Sequence, residues 1–242
     1  MNLANKKITV VAVHGAWADG SSWRRVVEPL LAEGIAVIAA PIPLTSLSDD
    51  IKALDRAIGR TEGPVILVAH AYAGAVIAGS TSKRVRGLVF VAALAPDEGE
   101  TVAEVFYRET PHPQAPQLVP DADGFIWMPD TGFASAFAPE ASKQEADLFA
   151  AAQRPIAVAC IQEKSPKPAW KSKPSWFFVA EDDRMIAPAT QLFMASRMRA
   201  RIRTHKVDHT PIFTAPEAVI EIIHEAIQSV MGQLPDLTQA LL

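Results

Sequence analysis

The chain contains a single cysteine, Cys160, among 242 residues. One thiol excludes an internal disulfide and a cysteine-built metal cluster, and it fits a reducing compartment. Neither sign of charge is in large excess: 23 Lys and Arg against 27 Asp and Glu leave a formal net charge of −4. Without a basic surplus, nothing points to nucleic acid or an anionic lipid surface as a partner. The longest mostly apolar stretch, Pro64 to Ala78, is too short for a membrane span and carries His70. Met1 to Lys7 lacks the basic–apolar–small pattern of a signal peptide. Internal repeats and low-complexity segments are missing as well. The expectation is one cytoplasmic domain over residues 1–242, with no membrane span.

Five largely apolar runs are present, Lys7–Val13, Ile35–Ala40, Pro64–Ala69, Gly87–Ala92 and Ser175–Ala180, and Arg201–Val207, which alternates less cleanly, reads as a sixth strand. Most are nearly continuous, as in strands buried on both faces of a parallel sheet. Helical patterns lie between them. Trp23, Val26, Val27, Leu30 and Leu31 share one helix face, with Ser22 as the expected N-cap and Gly34 as the stop. Ile51, Leu54 and Ile58 mark a second helix, and Val219, Ile223, Ala226, Ile227 and Val230 a last one. This alternation predicts an α/β fold with a mostly parallel, doubly wound sheet of about six strands.

One stretch breaks the rhythm. Residues from about 97 to 172 offer no core strand, but many prolines, a helical pattern over Ala141–Gln153, and Phe106, Tyr107, Phe125, Trp127, Phe133 and Phe137. A long ordered insertion of this kind predicts a cap lining a pocket, with Tyr107 and Trp127 as candidate substrate contacts.

The third run ends in Val68-Ala69-His70-Ala71-Tyr72-Ala73-Gly74 and passes directly into helix-like sequence. That is the setting of a nucleophile elbow, where a serine sits between small residues on a tight strand-to-helix turn. Ala69 and Ala73 supply the small flanks. The central position is Ala71, so the hydroxyl is missing. Other nucleophiles do not fill the gap: Ser80 lies far along the next helix, Ser21 and Ser22 read as capping residues, and Cys160 has no activating neighbour in sequence. Tyr72 is one residue past the turn and points elsewhere. His209, in a loop after the last strand, is the candidate general base. His14 and His70 read as structural hydrogen-bonding groups, and His112 as exposed. His205, four residues before His209 but on a strand, does not form a helical metal pair with it.

Four segments together carry a resemblance: Val13-His14-Gly15-Ala16-Trp17, the elbow around Ala71, Ala180-Glu181-Asp182-Asp183-Arg184-Met185-Ile186, and Val207-Asp208-His209-Thr210-Pro211. The chain resembles the small cap-bearing serine esterases of the α/β-hydrolase superfamily, which carry serine at position 71 and often glycine at 69 and 73. The resemblance implies an α/β-hydrolase fold with a helical cap, and neither metal nor organic cofactor. It implies that His209 is the base and that Asp183 is the acid orienting it, with Asp182 in reserve and Glu181 behind. It implies that the N–H groups of Ala16 and Tyr72 form the oxyanion hole, and that Trp17 lines the pocket.

The function so implied is hydrolysis of a carboxylic ester, small and mainly apolar, with carbamates and lactones open to the same chemistry. In the form with Ala71 the chain binds such a substrate without turning it over. Intact base, acid and oxyanion loop favour an introduced Ser→Ala change over natural loss. Two alternatives stand beside this reading: a naturally non-catalytic binding protein, and a cofactor-free lyase of the hydroxynitrile lyase type, since some relatives with a similar His-Gly-Ala-Trp loop cleave cyanohydrins.

Overall fold

A computed structural model describes residues 8–232. The leader reading of Met1–Lys7 lies outside the described residues. In chain order, β1 (Thr9–Val13), α1 (Arg24–Ala32), β2 (Ala36–Ala40), α2 (Leu47–Gly59), β3 (Val65–His70), α3 (Ala73–Ala78) and β4 (Val85–Val91) form the first half. An insertion follows, with α4 (Val102–Phe106), β5 (Phe125–Ile126), α5 (Asp130–Gly132), α6 (Lys143–Ala152), β6 (Ile156–Ala157) and α7 (Val158–Gln162). The chain then returns through β7 (Ser175–Ala180), α8 (Pro188–Arg197), β8 (Arg201–His205), α9 (Pro211–Thr214) and α10 (Pro216–Met231).

Six strands form one sheet in the order β2-β1-β3-β4-β7-β8, every pair parallel. The fold expected from the run pattern is the one found. The inserted strands β5 and β6 pair only with each other, antiparallel, outside this sheet.

Side-chain alternation splits the core in two. Val11, Val13, Leu67, Ala69, Leu88, Phe90, Phe177 and Val179 face α2, α3 and the insertion. Their neighbours Val10, Ala12, Ile66, Val68, Val89, Val91, Trp176 and Phe178 face α1 and α10, through Trp23, Val26, Leu30, Val219 and Ile223. Both strand faces are covered by helices, which is why the runs read as continuously apolar.

Strand order reverses between β1 and β3, since β1 is followed by β2 on one side and β3 lies on the other. Loops leaving the carboxyl ends of such neighbours diverge and open a crevice there. These are the loops that hold His14-Gly15-Ala16-Trp17 and Ala71.

Two local expectations meet different outcomes. Gly34 does end α1, with φ +80° and its N–H on Leu31 O at 3.0 Å. Ser22 is not the N-cap. A short 3-10 turn, Gly20–Trp23, precedes α1 and is capped by Asp19, whose carboxylate accepts from Ser21 N at 2.7 Å. The carboxylate three residues before Ser22 takes the capping position.

The elbow helix packs so closely that Gly74 has no room for a side chain. A Cβ there would collide with Leu94 O and lie 3.0 Å from Ala93 Cβ. Backbone on that side cannot yield as a side-chain tip would. Gly74→Ala is therefore expected to destabilise the fold by about 3 kcal/mol, at the upper end of overpacking costs. Urea unfolding measures it, and a loss under about 1 kcal/mol would show that α3 shifts freely.

Candidate active site

The third strand ends at His70, and Ala71 takes φ +51°. That left-handed conformation costs a non-glycine residue on the order of 1–3 kcal/mol unless the surroundings impose it. They do so here. Ala71 N donates to Val91 O at 3.3 Å, and Ala71 O accepts from Leu94 N at 2.9 Å and Gly74 N at 3.1 Å. The loop after β1 comes within contact of this turn: a Cβ on Gly15 would lie 3.0 Å from Ala71 Cβ.

Ala16 and Tyr72 flank Ala71 on either side of the crevice, and both line the pocket above it. Neither backbone N–H donates to an acceptor among the described residues. Buried N–H groups are almost always paired, so two donors left without an acceptor beside one cavity are unusual. Trp17 holds the loop in place, with φ +57°, its N–H on Arg154 O at 3.0 Å and its indole Nε1 donating to Ile126 O at 3.0 Å. Both acceptors belong to the insertion, so insertion and loop are fastened together.

His209 follows β8, and its Nδ1 donates to Asp183 Oδ2 at 2.8 Å. Both side chains are buried. Asp183 is itself fixed by three further donors: Met185 N at 2.7 Å and Ile186 N at 2.9 Å on Oδ1, and Gln191 Nε2 at 2.8 Å on Oδ2. Gln191 is oriented in turn by Ala180 N, which donates to its Oε1 at 3.0 Å. Glu181 and Asp182 are exposed, so of the three adjacent acids it is Asp183 that reaches His209.

Two other histidines surround the turn. His70 Nε2 donates to His209 O at 2.7 Å, and the two rings lie 4.9 Å apart. Burial first, and the nearby His209 second, push the His70 pKa down to about 3. His14 Nδ1 donates to Gly15 O at 2.9 Å, and burial lowers its pKa to about 4. Both are neutral hydrogen-bonding groups that hold loops.

Sequence reasoning missed a buried cluster beneath the elbow. Tyr72 Oη donates to Asp50 Oδ2 at 2.7 Å, and Leu44 N donates to Asp50 Oδ1 at 2.7 Å. Cys160 Sγ, from the cap helix α7, approaches Asp50 Oδ2 at 3.7 Å. Burial raises the Asp50 pKa to about 6 and the Cys160 pKa to about 12. The cysteine is thus no nucleophile, and Tyr72 is spoken for through its hydroxyl. Asp49-Asp50 in a first helical turn reads as a solvated pair favoured by the helix dipole. The signal against that was spacing: Asp50 stands three after Leu47 and four before Leu54, on the apolar face.

Asp50 gives a pH-dependent prediction. Its folded pKa, near 6, lies above its unfolded value near 4, so the folded state holds the proton more tightly. Its contribution is therefore lost as pH rises from about 4 to about 6 and stays constant above. Asp50→Asn is expected to remove that slope, so that the variant gains on the parent by roughly 2–3 kcal/mol between those pH values. Urea midpoints at pH 4 and 7 test it, and parallel pH curves would contradict it.

The pocket between the elbow and the insertion has a cavity volume of about 60 Å³. Its wall is mainly apolar: Leu94, Val102, Phe106, Ile126, Phe137 and Ile156 contribute, and Met185 and Ile186 close one side. Phe137 sets its edge toward His209, with centroids 5.4 Å apart. Of the expected contacts, Trp17 and Tyr107 line the pocket, Tyr107 at its exposed rim. Trp127 does not. Ile126, the last residue of β5, turns inward, whereas Trp127 just past the strand is half exposed and donates to Asp121 Oδ2 at 3.1 Å.

The family model described as the alpha/beta hydrolase family matches residues 10–222, and the chain belongs to that family. No curated protein matches it. Among solved structures, it is similar to polyneuridine aldehyde esterase at 15% identity and TM-score 0.78, covering 90% of this chain and 98% of that one. It is similar to a pyrethroid hydrolase from Sphingobium faniae JZ-2 at 20% identity and TM-score 0.76, covering 92% and 98%. It is also similar to a methylesterase from Arabidopsis at 15% identity and TM-score 0.76, covering 92% and 99%. These likenesses are likenesses of fold. No helix of the described residues is long and apolar enough to cross a membrane.

Proposed function

We propose that the chain is a carboxylic-ester hydrolase of the α/β-hydrolase fold in a form lacking its nucleophile, with Ala71 standing where a serine would act. The observation that carries this reading is the hydrogen bond from His209 to Asp183, with His209 lining one apolar pocket together with Ala16, Ala71 and Tyr72, while the N–H groups of Ala16 and Tyr72 have no acceptor among the described residues. A serine at 71 would attack an ester carbonyl as His209 takes its proton and Asp183 stabilises the imidazolium. Ala16 and Tyr72 would hold the oxyanion, and water would release the acyl group. Residues from about 97 to 172 act as the cap, with Trp17 and Tyr107 as substrate contacts. The apolar wall, and esterases among the similar structures, support a small, mainly apolar ester. A reduced, buried Cys160 is consistent with a cytoplasmic setting.

A pure scaffold or binding role gives no use for the strained turn at Ala71 or for two unpaired buried donors. The test is Ala71→Ser with a short-chain p-nitrophenyl ester. The expected result is a burst of p-nitrophenol equal to the enzyme present, with an acyl adduct on the introduced serine in the quenched protein. Absence of both burst and turnover would refute the reading.

A further inference from the structure

We infer that the chain as it stands, with Ala71, hydrolyses its ester without an acyl-enzyme, by attack of a water molecule that His209 Nε2 deprotonates. The inference rests on the ester-hydrolase reading above, but reaches past it to an activity of the unrestored protein.

Three observations support it. First, His209 is committed through Nδ1 alone. Asp183 holds that nitrogen, while Nε2 has no partner among the described residues and the ring lines the pocket. With Nδ1 carrying the proton, Nε2 bears the lone pair. Second, among the described residues lining the pocket there is no rival base. The Tyr72 hydroxyl donates its hydrogen bond to Asp50, Tyr107 stands at the exposed rim, and His14 and His70 do not line the cavity. Third, the electrostatic half of the site is independent of the side chain at 71. Ala16 and Tyr72 present backbone N–H groups, and the backbone bonds of Ala71 fix the turn whatever its Cβ carries.

Alanine differs from serine by one oxygen atom, and a water oxygen is of that size. The proton acceptor and the oxyanion donors are thus both placed for a water nucleophile. The water oxygen forms a bond to the carbonyl carbon as Nε2 takes its proton, and the carbonyl electron pair moves to the oxygen between the two N–H groups. That pair returns, the bond to the alkoxy oxygen breaks, and the imidazolium returns its proton to the leaving alcohol. One ester and one water give one acid and one alcohol. No acyl-enzyme forms.

The experiment compares the unaltered chain with His209→Gln and His209→Ala, using p-nitrophenyl butanoate, with each protein's fold checked by thermal unfolding. From the unaltered chain we expect linear p-nitrophenol release from the first turnover, with no acyl adduct in the quenched protein. Each His209 variant should fall by about a hundredfold or more, the range of general-base contributions. Added imidazole should return part of the rate to His209→Ala, which a merely structural histidine would not allow. Equal rates in the unaltered chain and both variants would overturn the proposal, as would an acyl adduct on the unaltered chain. Ala71→Ser run in parallel separates the two readings. A burst there beside a His209-independent rate in the unaltered chain sinks the water step alone. Inactivity of both proteins sinks both readings.

Discussion

In the Ala71→Ser protein, Asp183→Asn is expected to lower kcat for a short p-nitrophenyl ester about ten-thousandfold, with KM changed only severalfold. The argument is one of hydrogen-bond accounting. Four donors converge on Asp183: His209 Nδ1, Met185 N, Ile186 N and Gln191 Nε2. A carboxylate accepts from all of them; an amide offers one oxygen and brings two donors of its own. If the Asn oxygen stays on Met185 and Ile186, its NH₂ faces His209 Nδ1. The ring then carries its proton on Nε2, the nitrogen that must accept the serine proton. Ground-state binding uses the apolar wall and is largely untouched. Asp182→Asn serves as the control, because Asp182 is exposed and one residue away. Its kcat should stay within about twofold, as for other surface changes remote from the chemistry. Initial rates over a range of ester concentration measure both. A drop for Asp182→Asn equal to that for Asp183→Asn would reassign the acid.

Much of this frame was legible before any coordinates. Strands buried on both faces must be apolar throughout, so β1, β3, β4 and β7 announce themselves as runs, and the interval before β7 stands out as an insertion. The chain order of Ala71, Asp183 and His209 could be read because each follows a strand and therefore falls on one edge of the sheet. What could not be read depends on contacts between segments far apart in sequence. Gln191 looks like any polar residue of an amphipathic helix; only the packing of α8 against the end of β7 turns it onto Asp183. Asp50 belongs to Tyr72 and Cys160, 22 and 110 residues away. Trp127 failed as a pocket contact for a subtler reason. It stands just past β5, and a strand of only two residues gives composition no period from which to read the direction of the next side chain.

Acidification from pH 7 to pH 4 is expected to destabilise the fold by several kcal/mol, and His70→Gln to remove about half of the histidine share. His70 and His14 have folded pKa values near 3 and 4, against about 6.5 unfolded. The unfolded chain therefore binds more protons than the folded one below pH 6.5, and stability falls as pH falls toward the folded values. At pH 4 each histidine contributes a loss of roughly 3 kcal/mol, at about 1.4 kcal/mol per pKa unit. Asp50 opposes them over part of the same window, because acid supplies the proton that its buried carboxyl retains. Two histidines outweigh one aspartate, so the net effect has the sign of the histidines. It is large against a total stability of order 5–15 kcal/mol. His70→Gln isolates the cause, since an amide nitrogen can still donate to His209 O, the bond that Nε2 now makes at 2.7 Å. Urea midpoints at pH 7 and pH 4, at constant slope, give the comparison. An acid limb as steep in His70→Gln as in the parent would mean that His70 meets water in the folded state. The ring that positions the loop of His209 would then be a titrating group rather than a fixed donor.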